Sequence, residues 1–355
     1  LQHRRFYDPK KFIQFLQDLW FALFAVFVFT SVVLLLADAP PLSAYYHIFQ
    51  GSLGSLNKFS HVVKAWIPLT LCACGLLFTF RIGLWNIGIE GQVMMGAVFS
   101  TAALRLGLNA DLTPLVLGCS FVAGAAGGAL WALLAGYLKT RGGVHEIFAG
   151  LGLNFVAQGI ILWLIFGPWK RPGVASMSGT ELFPRELWLS QTATLKLPPA
   201  GLAFVLLAVI LATLLLVYAR IGLNLKAIGN NSAAAFLFGL KPDRYMLIAM
   251  VLAGGLAGLA GNLQVTGVYH RLLPAISSNY GYLALLVVML SNYNIWAAPA
   301  VAFLFACLNT GSIQLPMMLR LDSSLSGVIQ GSLVLAALAL RAWRKRRSAE
   351  KVSHA

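Results

Sequence analysis

Residues 81–96 read Arg81-Ile-Gly-Leu-Trp85-Asn86-Ile-Gly88-Ile-Glu90-Gly91-Gln92-Val-Met-Met-Gly96. They set an amide, a carboxyl group and a second amide into a run that is otherwise apolar. Hydrocarbon solvates none of these, so in a membrane segment such groups persist only where they face protein, water or a ligand, and they mark functional positions. Asn86 and Glu90 are four apart, which predicts a shared helix face. Glycines at 83, 88 and 91 loosen the backbone beside them, as expected of a broken or closely packed helix start bordering a cavity.

The surroundings explain why hydrocarbon is the relevant solvent. Of 355 residues 59% are hydrophobic and 10% charged, and mean hydropathy is +0.79. Soluble domains carry charge on about a quarter of their residues. Apolar windows of about 20 residues, each able to cross ~30 Å of hydrocarbon, recur along the chain. They predict spans near 19–37, 62–80, 86–106, 112–138, 146–167, 200–219, 245–263, 281–291, 296–315 and 325–340. The fold class expected is therefore all-α, a polytopic membrane protein with about ten transmembrane helices. The segment 281–291 is short for a full crossing and reads alternatively as a re-entrant or tilted element, in which case the termini would fall on opposite sides.

Net charge is +15, but the basic residues flank apolar runs and form no basic domain, so they indicate topology and not nucleic acid. With the N-terminus inside, Arg4, Arg5, Lys10, Lys11, Arg81, Lys139, Arg141, Arg220, Lys226, Lys241, Arg244 and the basic tail from Arg341 to Lys351 all fall on the cytoplasmic side. Both termini are thus expected in the cytoplasm. The organisation expected is one permease domain over 1–355. It has a cytoplasmic segment 1–18, outer loops 38–61 and 168–199, a cytoplasmic loop 220–244 and a basic tail 341–355. Ala37-Asp38-Ala39 resembles a signal cleavage site only faintly, and the apolar run before it exceeds a signal core. Cys72, Cys74, Cys119 and Cys307 all lie within apolar runs. Cys72 and Cys74 point about 200° apart on a helix, which supports neither a disulfide nor a zinc site.

Glycines in Gly124-Ala-Ala-Gly127-Gly128 and Gly254-Gly255-Leu-Ala-Gly258-Leu-Ala-Gly261 have the spacing that lets helices approach closely within one chain. In the loop from Arg220 to Arg244, Ser232 is expected to cap a short Ala-rich helix running to Phe238, ended by Gly239 and Pro242. Such a helix suits a groove on a partner protein, or else rests on lipid.

These stretches together resemble a known family. Residues 85–92 are similar to the FNIG-x-EGQ signature of ABC importer permeases of the branched-chain amino acid and ribose type, nearest their nucleoside-type branch, with Trp85 in place of Phe. Ile67-Pro68-Leu69-Thr70, Gly75-Leu76, Phe78, His145-Glu146-Ile147 and Leu153-Asn154-Phe155 also resemble that branch. Ala227 to Ala235 resembles its coupling loop, with Asn231 where an acidic residue or proline is common. Gly281-Tyr282 and Ala284 resemble the run that follows. The resemblance covers nearly the whole chain in order; it departs at Phe148-Ala-Gly-Leu-Gly-Leu, where members often carry a different sequence.

The resemblance implies a permease subunit of an importer, moving a small polar solute, foremost a nucleoside, across a prokaryotic cytoplasmic membrane. It implies no enzyme activity and no cofactor in this chain; ATP and Mg would be bound by a partner ATPase. The absence of any Gly-Lys dipeptide, and hence of a phosphate-binding loop, agrees. Implied partners are that ATPase, a second homologous permease chain in a heterodimer, and an extracytoplasmic solute-binding protein or lipoprotein, besides membrane lipids. Substrate-path candidates are Asn86, Glu90, Gln92, Asn154 and Gln264. Coupling candidates are Lys226, Gly229, Asn230, Ala233, Ala234 and Gly239. The same machine could carry a sugar or a branched-chain amino acid. A different class, a secondary transporter, would use Glu90 or Glu146 to carry a coupling proton. A membrane enzyme would need a convergent acid, base and nucleophile or a metal cluster, and the sequence contains none.

Overall fold

The computed structural model describes residues 40–108, 112–173, 179–193 and 195–313, with scattered positions between 20 and 36 and between 318 and 339. The chain divides into two compact units, residues 60–306 and the pair of segments 1–59 and 307–355. In the second of these, α1 (Pro41–Leu53) lies in the stretch read as an outer loop. A side chain at Gly311 would meet the Ile48 carbonyl at 2.2 Å, so backbone lies against backbone there.

The elements that follow are α2 (Leu56–Arg81), α3 (Ile89–Leu106), α4 (Thr113–Thr140), α5 (Glu146–Phe166), α6 (Pro199–Thr213), α7 (Arg220–Asn230), α8 (Ser232–Leu237), α9 (Pro242–Leu263), α10 (Tyr280–Leu290) and α11 (Ala298–Ser312). A π-helical turn extends α6 over Leu214–Tyr218, and another extends α9 over Gln264–Tyr269. Among the described residues there is no strand, so the all-α class holds.

The number of crossings does not. Among the described residues five helices are long and apolar enough to span a bilayer: α2, α4, α5, and α6 and α9 with their π turns. They number six if the bent pair Phe27–Leu36 and Pro41–Leu53 counts as one. The expectation of about ten is therefore corrected to five or six. Helix α3 falls short because Glu90, Gln92 and Arg105 interrupt its apolar character. At 1.5 Å per residue the 11 residues of α10 reach only about 16 Å, well under the ~30 Å required, and the 15 of α11 also stop short. Hydropathy windows count apolar residues without knowing where a helix breaks. The expected span 325–340 and the segments 1–18 and 341–355 lie essentially outside the described residues.

Position within the unit separates the spans. The most apolar stretch of α2 is 89% buried, whereas those of α4, α5 and α6 are each 33% buried. Helix α2 is thus enclosed by protein on nearly all sides. The others present Leu130, Phe155, Trp163, Leu206 and Leu207 outward, an apolar exterior that suits lipid and not water. Helices α3, α4 and α9 meet at the glycines. A Cβ on Gly96 would lie 2.3 Å from the Gly258 Cα, one on Gly128 2.2 Å from the Gly254 carbonyl, and one on Gly261 2.1 Å from the Val93 carbonyl. The small-residue spacings therefore serve packing within the chain, as expected.

Candidate functional site

After α2 the chain reverses at Gly83, whose φ of +85° is a conformation that side chains disfavour. Helix α3 starts only at Ile89, so Asn86 lies outside it and does not share a helical face with Glu90. It turns to Gln92 instead. Asn86 Nδ2 donates to Gln92 Oε1 at 3.2 Å, and Gln92 Nε2 donates back to Asn86 Oδ1 at 2.9 Å. Both side chains are buried. An unpaired amide would cost roughly 2–7 kcal/mol in such surroundings, and the reciprocal pair removes most of that cost for two at once.

Glu90 points elsewhere. Its Oε2 accepts the Gly281 N–H at 2.8 Å, while Ser277, Asn279 and Tyr282 lie around the same carboxyl group. Glu90 thereby sits in the first turn of its own helix and against the first turn of α10, two places where a helix favours negative charge. The N-cap of α10, Asn279, has φ +59° and makes no side-chain cap; the carboxyl group of another helix fills that role.

Asn154, from α5, joins the same junction. Its Oδ1 accepts the Gly91 N–H at 2.9 Å, and its Nδ2 donates to the Ile87 carbonyl and to the Tyr282 hydroxyl, both at 3.0 Å. One carboxamide thus links the start of α3 to α10. Trp131 Nε1, buried beside Gly91, has no hydrogen-bond partner among the described residues.

Gln264 stands apart from these four. It opens the π turn at the end of α9 and is 1% exposed, with the Tyr280 hydroxyl as its hydrogen-bonding neighbour. Asn262, two residues earlier, is fully engaged: its Nδ2 donates to Ser120 Oγ at 3.0 Å and its Oδ1 accepts from Thr266 Oγ1 at 3.3 Å. Beyond the π turn His270 adopts φ +54° and stacks on Trp188, with centroids 3.7 Å apart and planes 5° from parallel. The loop carrying Trp188 is held there by backbone bonds from Thr180 to Leu272, Phe183 to His270 and Leu189 to Thr266.

The segment 220–244 forms two helices, α7 and α8. Asn231, and not Ser232, caps α8: its side chain accepts the Ala234 N–H at 3.0 Å. Gly239, at φ +83°, ends it. Lys226, Gly229, Asn230, Ala233 and Gly239 are exposed and Ala234 half-buried. At Gly229 a Cβ would come 2.5 Å from the Arg81 carbonyl, so this segment bears directly on the turn that leads to Asn86. Glu146, at the first position of α5, pairs with Lys139 at 2.7 Å. Among the described residues no group of three or more metal-ligating side chains is close enough to hold an ion.

The family described as "Branched-chain amino acid transport system / permease component" matches residues 59–338. The chain belongs to this permease family. Relatives include the glucose ABC transporter permease protein TsgB13 of Haloferax volcanii, 28% identical over 86% of this chain and 82% of its own length. The guanosine ABC transporter permease protein NupP of Bacillus subtilis is 24% identical over 86% and 88%. The nucleoside ABC transporter permease protein NupB of Lactococcus lactis subsp. cremoris is 24% identical over 81% and 80%. The permease is accordingly the transmembrane subunit of an ABC importer for a small polar solute; it is not itself an enzyme, and such components typically bind no cofactor.

Two parts of the permease's junction, and one contact outside it, have no signal in the sequence. Gly281 and Tyr282 were noted as family-like residues, but nothing local signals that they meet Glu90 and Asn154, 191 and 128 positions away. Trp131 gave no signal within its apolar helix. The stack of Trp188 on His270 joins a loop to the end of a span and leaves no trace in either stretch alone.

Proposed function

We propose that this chain is one of two homologous permease subunits, paired as a heterodimer, of a prokaryotic importer that moves nucleosides. A separate ATPase binds ATP and Mg, and an extracytoplasmic solute-binding protein or lipoprotein delivers the cargo. Both termini lie in the cytoplasm. Asn86, Glu90, Gln92 and Asn154 hold the helix junction closed in the present conformation and border the route when it parts, and Gln264 faces the solute.

The observation that carries the coupling half of this reading is the contact of Gly229 with the Arg81 carbonyl. Displacement of α7 and α8 by an ATPase reaches the Arg81–Gly83 turn directly, and through it the Asn86–Gln92 pair. Helix α8 ends in Phe236, Leu237 and Phe238, which are 65%, 85% and 88% exposed, a side-chain set that fits an apolar groove on a soluble partner. Lys226, Gly229, Asn230, Ala233, Ala234 and Gly239 form the rest of that surface. For the cargo, support comes from relatives named for guanosine and nucleosides and from the amide-rich junction.

A hexose is the second reading, favoured by the glucose permease among the relatives. Proteoliposomes containing the complete importer and its binding protein, loaded with ATP, test both. ATP-dependent uptake of labelled guanosine that unlabelled glucose does not compete supports the nucleoside. Glucose uptake without nucleoside uptake moves the cargo to the second reading. Equal uptake by this chain alone, driven by a proton gradient, overturns the importer mechanism.

A further inference from the structure

The last carbonyls of a helix find no partner within it, and at the end of α9 the loop between α5 and α6 answers them. The Leu189 N–H donates to the Thr266 carbonyl and the Phe183 N–H to the His270 carbonyl, both at 3.0 Å, and Gln191 Nε2 donates to the Gly267 carbonyl at 3.4 Å. Thr180 and Leu272 bond in both directions: the Thr180 N–H donates to the Leu272 carbonyl at 2.9 Å, and the Leu272 N–H donates to Thr180 Oγ1 at 3.0 Å. With Trp188 stacked on His270, residues 179–191 are tied along the length of 266–272.

The same loop reaches inward. Phe183 and Leu187 are buried and share one apolar cluster with Val98 of α3, Ile161 of α5, and Leu272 and Ile276 of the link between α9 and α10. Two sets of elements meet at these two side chains: α3 and α5 on one side, and the link that leads into α10 on the other. They are the sets that the Glu90–Gly281 and Asn154–Tyr282 bonds also join. Helix α10 cannot be drawn away from α3 together with its link while the loop grips both.

Helix α9 starts at Pro242, just after α8, and with its π turn runs 28 residues to Tyr269. That is about 40 Å, enough to cross a bilayer, so the loop lies on the face opposite α7 and α8. If those helices meet the ATPase, as proposed, the loop faces the arriving solute. Water on that side can replace each donor when the loop lifts, which makes the ties exchangeable. Withdrawing Phe183 and Leu187 exposes apolar surface, which favours return.

We infer that residues 179–191 form a strap that shuts the solute side of the resting permease and comes off 266–272 in each transport cycle. This rests on the proposed importer mechanism.

Amide exchange reads the strap directly, because the N–H groups of Thr180, Phe183, Leu189 and Leu272 are the donors. The complete importer with its binding protein is compared at rest and during ATP-driven uptake of guanosine or glucose, whichever it carries. Peptides covering 179–191 and 266–272 should exchange about tenfold or more faster during uptake, and those covering 72–78 of the enclosed α2 should not change. Unchanged exchange in 179–191 while uptake proceeds would overturn the inference.

A covalent lock tests whether release is required. Thr180→Cys combined with Leu272→Cys puts thiols on the doubly bonded pair. Oxidation should lower uptake by about tenfold or more, and a reductant should restore it. Each single variant, oxidised in the same way, controls for Cys72, Cys74, Cys119 and Cys307. Uptake that persists with the disulfide detected by peptide mass spectrometry would make the loop a fixed brace and overturn the inference alone; if the pair does not cross-link, the exchange result decides. Absence of ATP-dependent uptake of either solute by the wild type overturns the proposed importer, and the inference with it.

Discussion

Gly281 donates its N–H to Glu90 Oε2 at 2.8 Å, across 191 residues of sequence, and no side chain fits between them. A Cβ at Gly281 would lie 2.7 Å from both the Cα and the N of Glu90. The start of α10 is thus fixed against the start of α3 by backbone contact and by one carboxyl group. Gly281→Ala should force the two helices apart and cost about 1–3 kcal/mol. Thermal unfolding of the purified permease in detergent would show the loss, and an unchanged midpoint would contradict the contact.

Two glycines three residues apart on α9 should respond in opposite ways. At Gly258 a Cβ would meet the Gly124 carbonyl at 2.1 Å, whereas at Gly255 nothing lies within 4 Å. Gly258→Ala should sharply reduce the amount of folded protein recovered. Gly255→Ala should hold or raise stability by about 0.5–1 kcal/mol, because alanine restricts the unfolded backbone. Size-exclusion profiles and melting of the two variants side by side make the comparison.

The Asn86–Gln92 pair calls for a double-mutant cycle. Asn86→Ala alone strands a buried carboxamide at a cost of about 1–3 kcal/mol, and Gln92→Met alone does the same to its partner. The double variant should lose less than the two singles together, by about 1 kcal/mol or more. Strict additivity in denaturant unfolding would show that the pair does not act as a unit.

Asn231 supplies the cap of α8 through the Ala234 N–H. Asn231→Ala should destabilise this helix by about 1 kcal/mol, and Asn231→Asp should preserve it, since either oxygen serves as acceptor. Amide exchange over residues 232–238 is the direct measure, with faster exchange expected only for the alanine variant.

Burial pulls the His270 imidazole below its usual range, opposed by the bond to the Thr266 carbonyl and assisted by the charge of Lys64. A histidine whose pKa is lower when folded takes up its proton more readily unfolded. Its contribution is therefore complete above the ordinary histidine pKa near 6.5 and is lost as pH falls from there through the lowered value. Acidification through that window should loosen the Trp188 stack, seen as faster amide exchange in residues 179–193. His270→Phe should remove the dependence while keeping a ring against Trp188.

Helical class, membrane residence and the family are legible in the chain because they depend on composition and short ordered motifs: long apolar runs, flanking charge, and the Trp85–Gln92 signature. The expected count of ten crossings failed on α3, α10 and α11, where length and interruption decide, and window hydropathy registers neither well. Asn86, Glu90 and Gln92 stood out as polar groups within an apolar run. Which of them pair with each other and which reach another helix depended on where α3 begins, three residues later than the apolar pattern suggests. Cap chemistry was readable at α8 to within one residue, since Asn231 and Ser232 both offer an oxygen to the same turn.

Residue type alone determined that amides and a carboxyl group had to find partners, because hydrocarbon provides none. Only the tertiary structure decided who those partners are: Gly281 for Glu90, and Tyr282 and Gly91 for Asn154. Hydrogen bonds act over about 3 Å, and the chain separations involved run from 63 to 191 residues, so such pairings emerge only once the helices have packed.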